Sequence, residues 1–441
     1  MKSPVSPARC ALPDTPLANA AAGLDACVHC GFCLQACPTY VNLEDENDSP
    51  RGRLVLMRRM LDGDIALDDP DAGRHMDRCL GCRACETACP SGVPYGELLE
   101  ATRATMAPVR GTPVVARLVL SIFAHRSVLR VALGGARIAR ATGVPRLLAR
   151  ILPDRLAFPF AMLASTVPVS LRRRTRTTES PTPARAGDTL TVKRDAVTLL
   201  EGCVMRGLFG HVNSATERVL VANGYNVVTT PQQHCCGALH AHAGDLEGAR
   251  VLARANIAAF EKVFDAAAPG YIAINSAGCG AMVKQYAHLL HDDQVWGPRA
   301  ARIAERARDV SELLAAAGPK VGGTLALRVT HDPPCHQMHA QRVVKQPIAV
   351  LNAIPGLELL PLADAEQCCG SAGIYNLVEP DTSDAVLAPK LERIAETDAD
   401  YLATGNPGCM MQIGAGLMRS GSRVRVVHPV ELLDASYRAA R

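Results

Sequence analysis

The chain has 441 residues, enough for two to four compact units of the usual ~100–200 residues. Apolar residues make up 48%, which excludes a disordered or fibrous chain. A net charge of +4 with 4% aromatics supplies neither the field nor the stacking platforms that nucleic-acid binding needs. Seventeen cysteines in short-spaced clusters point instead to thiolate ligands kept in a reducing compartment.

The first 26 residues carry prolines and Asp14 and no apolar block of export-signal length, so no cleaved leader is expected. Cys10 reads as a spare thiol in a mobile terminus. Next come Cys27-x2-Cys30-x2-Cys33-x3-Cys37-Pro38 and Cys79-x2-Cys82-x2-Cys85-x3-Cys89-Pro90, two copies of the bacterial ferredoxin run. Three thiolates on a tight loop wrap three irons of a cube, and the fourth reaches the other cube. The spacing therefore predicts one [4Fe-4S] cluster on Cys27, Cys30, Cys33 and Cys89, and a second on Cys79, Cys82, Cys85 and Cys37. Zinc ribbons need two Cys-x2-Cys pairs and leave the third pair and the Cys-Pro unexplained. The acidic loop Glu44, Asp45, Glu46 and Asp48 reads as solvated.

From Ala101 to Arg176 there are fourteen arginines, no lysine and one acid, Asp154. Mixed with Val, Leu, Ile and Phe, they suit a groove for acidic partner subunits, helices in an anionic membrane interface, or a solvated arginine-rich face. Within this basic segment the longest uncharged stretch, Leu156–Leu171, is sixteen residues broken by Pro159 and Pro168, short of the ~20 that span a bilayer. A cytoplasmic location is expected, in solution or peripheral on the cytoplasmic face of the inner membrane. Arg172 to Gly187 reads as a linker.

The rest is an internal repeat. Cys203 to Cys335 is a step of 132 residues, Cys235 to Cys368 one of 133, and Cys279 to Cys409 one of 130. Each copy holds a Cys-Cys-Gly triplet, at Cys235–Gly237 and Cys368–Gly370, and a Tyr-x-Ala-x-x-x-x-Gly-Cys segment, Tyr271–Cys279 and Tyr401–Cys409. Short apolar runs at Val197–Leu200, Tyr271–Ile274, Leu327–Thr330 and Tyr401–Thr404 alternate with helical patterns such as Asp245–Ala267. That alternation predicts a mainly parallel sheet with helices around it, and the cysteines fall where strand ends should gather a ligand. Gly237 and Gly370 suit positive φ or close approach.

Cys27-Val-His-Cys-Gly-Phe-Cys33, Cys37-Pro-Thr-Tyr40, the Asp45–Arg53 stretch ending Ser-Pro-Arg-Gly-Arg, and Cys85-Glu-Thr-Ala-Cys-Pro-Ser-Gly-Val93 resemble the iron–sulfur subunits of bacterial glycolate oxidase. The resemblance runs through both Cys-Cys-Gly copies. It implies an electron-transfer subunit without FAD of its own, in a hetero-oligomer with FAD-binding subunits. The complex would oxidise glycolate to glyoxylate, with D-lactate as a further substrate, and pass electrons to a quinone or other respiratory acceptor. Relatives of the same architecture serve anaerobic glycerol-3-phosphate dehydrogenase and lactate utilisation.

The repeats are similar to the cysteine-rich domains of heterodisulfide reductase, but Met282 and Gln412 stand where the fuller pattern has a further cysteine. Each copy thus offers four thiols: Cys203, Cys235, Cys236 and Cys279, then Cys335, Cys368, Cys369 and Cys409. Four suffice for a cubane or for zinc, so one or two further clusters, zinc, or empty sites stay open, and a disulfide-reducing enzyme is disfavoured. His234, His240, His242, His331 and His336 lie near these cysteines and read as capping or solvated residues. No nucleophile–base pair or phosphate loop stands out, so no catalytic residue is assigned and the chain alone is expected to be inert toward substrate. The expected fold is a mainly helical two-cluster ferredoxin-like domain (1–100), a basic helical connector and linker (101–190), and a duplicated α/β Cys-Cys-Gly pair (191–320 and 321–441).

Overall fold

The computed structural model describes residues 11–171, 194–264 and 270–440. Cys10 and the predicted linker at 172–187 lie outside them. The described residues form two compact units. One holds those up to Ser121 with Gly237–Ala249 and Gln367–Val386; the other holds Ile122–Cys236, Arg250–Glu366 and Leu387 onward.

The first unit is helical. Pro50 opens the helix Pro50–Asp62 at a position where its missing N–H costs nothing; Ser49 caps it by accepting from Gly52 N–H at 2.9 Å, and Gly63 at φ +80° ends it. The Cys-Pro of the first motif works the same way, with Cys37 as the residue before the helix Pro38–Leu43. Leu17, Met57, Met60, Met76, Leu98 and Leu99 form the core between these helices and Tyr95–Arg110.

The second unit contains two four-stranded sheets. β1 (Ala196–Leu199), β2 (Asn226–Val228), β3 (Gly270–Ile274) and β4 (Ala307–Asp309) lie in the order β2-β1-β3-β4. β5 (Leu327–His331), β6 (Leu357–Leu360), β7 (Tyr401–Ala403) and β8 (Arg425–Val427) repeat that order as β6-β5-β7-β8. All pairs are parallel: Ala196 sits opposite Asn226 and Gly270, and Val329 opposite Tyr401. The expected parallel α/β repeat is therefore present. A single apolar core joins both copies, with Val197, Val212, Leu220, Val329, Leu351 and Leu433 fully buried.

Helices flank the strands. In each copy the Glu-Leu-Leu motif supplies a capping box, Asp309 with Glu312 and His428 with Glu431. Helices also fill the described part of the basic segment, among them Arg126–Ala141 and Asp154–Ser165. The second of these lies on Pro407–Arg419 so closely that a Cβ on Gly414 would stand 2.8 Å from Ser165 Cβ. Among the described residues no single helix is long and apolar enough to cross a membrane; Tyr95–Arg110 and Val114–Ala124 pass such a test only as a pair bent by 115°.

Candidate functional site

Cys27, Cys30, Cys33 and Cys89 line one small cavity in the first unit, with Cys85 also reaching its wall. His29 at φ +55° and Gly31 at φ +84° turn the chain between the first thiols, the tight winding that a three-thiolate loop requires. Cys30 is exposed and the other three are half-buried. Beside them Val28 and Phe32 are 67% and 68% exposed, so this group lies under an apolar patch of surface.

Cys37, Cys79, Cys82 and Cys85 are all buried. Burial pushes the Cys82 and Cys85 thiols well up, and each also feels the charges of Cys79 and Cys37. The Cys82 and Cys85 sulfurs so placed become thiolates only when a cation compensates them, which is what iron supplies. Tyr95 Oη donates to Cys79 Sγ at 3.6 Å, and Cys37 Sγ lies 3.2 Å from Thr39 Oγ1. Each group of four cysteines offers the donors that a four-iron cluster needs.

One expectation is corrected here. Asp48 is not solvated: its side chain is fully buried. Its Oδ1 accepts from Arg53 Nη2 at 3.1 Å and stands 3.0 Å from His75 Nδ1, while Oδ2 accepts from Arg78 Nη1 at 3.0 Å. Arg53 is fully buried too and donates through Nε to His75 O at 2.6 Å and through Nη1 to Thr39 Oγ1 at 3.1 Å. Burial alone would lower its pKa, yet the charges at Cys79, Tyr95, Cys37 and Asp48 hold it raised. Asp45, Asp48 and His75 stand close enough for a metal ion, but the arginines already occupy the Asp48 carboxylate. Glu44 and Glu46 remain exposed as expected. The sequence signal for this network was the Asp48–Arg53 spacing in the Asp-Ser-Pro-Arg-Gly-Arg stretch.

In the second unit, Cys203 follows β1, Cys235 and Cys236 follow β2, and Cys279 follows β3, all at carboxyl ends. β1 and β3 flank the point where strand order reverses, the usual ligand crevice of such sheets. The thiols meet there: Cys236 Sγ lies 3.3 Å from Cys279 Sγ, and Cys235 hydrogen-bonds both Cys203 and Cys236. Those mutual hydrogen bonds come first, and burial second, in raising the Cys203 thiol well above its ordinary range. Asn256 Nδ2 donates to Cys235 O at 2.9 Å and Tyr286 Oη to Cys236 O at 2.9 Å, fixing the Cys-Cys backbone. This quartet has the donors for zinc or a cluster.

In the second copy, Cys335 follows β5 and Cys409 lies buried in Pro407–Arg419, with Asn406 Nδ2 donating to its Sγ at 3.4 Å. Cys368 and Cys369 are buried in the first unit, where Cys368 adds its charge to that of Cys82. Gly237 and Gly370 have φ of +93° and +82°, and a Cβ on Gly370 would meet Ser383 O at 2.5 Å. Of the neighbouring histidines, His234 donates its backbone N–H to Asn256 Oδ1 at 2.8 Å, His240 is buried in a short helix, and His242 Nδ1 lies 2.8 Å from Glu100 Oε1. Burial, with Lys390 nearby, lowers His331 to about 4, and His336 opens the turn after Cys335.

Comparison with known proteins agrees with this anatomy. Residues 23–93 match the 4Fe-4S dicluster domain family, and 197–284 and 329–414 each match the cysteine-rich domain family. The chain is 36% identical to a probable glycolate oxidase iron-sulfur subunit of Bacillus subtilis, over 92% of each chain. It is 33% identical to the glycolate oxidase iron-sulfur subunit of Escherichia coli, over 93% of each. Lactate utilization protein A of Geobacillus kaustophilus is 31% identical over 98% of its own length but only 54% of this chain. With thiolate quartets in both units and matches over nearly its whole length, the chain belongs to the family of glycolate oxidase iron–sulfur subunits.

Proposed function

We propose that this chain is the electron conduit of a flavin-linked 2-hydroxy-acid dehydrogenase that converts glycolate to glyoxylate. The observation that carries the reading is the graded exposure of two ferredoxin-type quartets within one unit, from exposed Cys30 to buried Cys82. A [4Fe-4S] cluster, when bound, exchanges one electron at a time, whereas oxidation of an alcohol carbon needs a two-electron acceptor. That acceptor is a FAD on partner subunits. Val28 and Phe32 give such a partner an apolar docking patch beside the outer quartet.

Cys27, Cys30, Cys33 and Cys89 hold the outer cluster, and Cys79, Cys82, Cys85 and Cys37 the inner one. Tyr95 and Arg53 stabilise added negative charge at the inner one. The Cys203, Cys235, Cys236 and Cys279 quartet holds a further metal centre. The chain works on the cytoplasmic face of the membrane. A lactate-linked role finds less support, because the lactate-utilisation relative covers only about half of this chain.

The test is reconstitution. The isolated chain, anaerobically loaded with iron, should leave glycolate untouched, and with the flavin subunits it should be required for quinone reduction. Glycolate turnover by the chain alone would overturn the reading. About eight irons per chain would leave zinc or nothing in the repeats, and more would place clusters there.

A further inference from the structure

A second cavity in the first unit, of about 670 Å³, is assembled from three separated pieces of chain: part of 77–117, the short helix at 239–243 and 372–379. That volume suits a small organic ligand. Leu80, Met106, Leu239, Ile374 and Val378 give the wall an apolar character, and Cys79, an inner-quartet thiol, is part of it.

The wall's cations are already engaged, which argues against an anionic ligand. Arg103 donates to the carbonyls of His242, Met76 and Cys79 at 2.7, 2.8 and 2.7 Å. Arg110 makes a two-point pair with Asp77 at 2.8 and 3.3 Å, and Arg117 donates to Thr112 O at 3.1 Å. The rim is apolar as well: Val114 and Val115 line the cavity while 76% and 49% exposed, next to Leu118 at 62%. A ligand suited to this place is neutral, mostly apolar, and able to exchange electrons with a centre at Cys79.

We propose that this cavity seats the quinone that takes up the electrons, its ring beside the Cys79 loop and its apolar tail at the Val114–Val115 rim. His242, in the wall and hydrogen-bonded to Glu100, holds a ring oxygen. The balance closes: oxidising the 2-hydroxy acid to the 2-oxo acid releases two electrons and two protons. The quinone takes two electrons, arriving singly, and two protons from solvent to become the quinol. The assignment rests on the electron-conduit reading, which it deepens.

The test uses the iron-loaded complex with a short-chain benzoquinone and its photoreactive azido derivative. Label should appear within 106–117 or 372–379. Leu239→Trp and Ile374→Trp, each retaining its iron, should weaken the calorimetric Kd for the benzoquinone at least tenfold. Label elsewhere, or an unchanged Kd in both variants, overturns the cavity assignment. A complex that reduces a dye with glycolate but binds no quinone overturns it too, and leaves the conduit reading standing. Label in the cavity without any glycolate-driven dye reduction does the reverse.

Discussion

The two ferredoxin-type runs of the first unit are spelled with the same spacing and end in different surroundings. Around Cys27, Cys30 and Cys33 the loop faces solvent and carries Val28 and Phe32 outward, whereas Cys37, Cys79, Cys82 and Cys85 are buried beside Arg53 and Tyr95. Ligation is set by the spacing. What may touch each site, and how readily it accepts charge, is set by residues outside the motif. The neighbouring arginines repeat the contrast: Arg51 pairs with Glu46 at the surface, and Arg53 with Asp48 at zero exposure.

The harshest test of this contrast removes one ligand from each group. Cys82→Ser should cut iron from about eight to about four per chain in these two sites and stop delivery to the acceptor, because no water can replace the lost thiolate. Cys30→Ser, open to solvent, should lose less iron. Equal losses by iron and acid-labile sulfide assay would erase the distinction. Next in size, Arg53→Met takes the fully buried one of the two arginines from buried Asp48 and should cost about 3–5 kcal/mol in denaturant melts, against about 0–1 kcal/mol for Arg51→Met.

Exposure also predicts order of damage. Under a ferrous chelator or air, iron should leave in two phases of similar size, the first at least roughly tenfold faster, and it should come from the outer quartet. Electron paramagnetic resonance would identify the surviving centre. The smallest expected effect is Tyr95→Phe. Losing a hydrogen bond of about 1 kcal/mol to Cys79 disfavours the more negative reduced state, so the inner potential should fall by roughly 40 mV while the outer one stays put.

What was legible in the sequence follows the same division. Cysteine spacing is a local consequence of metal geometry, so the two ferredoxin-type runs and the repeat could be read directly. β1, β3, β5 and β7 announced themselves as apolar runs because they are the central strands. β4 and β8 did not: each has three residues, and Ala307-Arg308-Asp309 and Arg425-Val426-Val427 carry charge at a sheet edge. The burial of Asp48 was hidden because two of its partners, His75 and Arg78, lie 27 and 30 residues away. The 670 Å³ cavity was hidden because no one of its three wall segments forms it alone.

Arg103 has a wider consequence. One planar guanidinium gathers carbonyls from Met76, Asp77, Cys79 and His242, stitching the loop of an inner thiol to a segment more than a hundred residues away. A loop pinned at so many points has little room to relax when its charge changes. Its dipoles are already set before the electron arrives. Stiffness of this kind means a small reorganisation energy, and hence hopping that stays fast even where the driving force between neighbouring centres is slight.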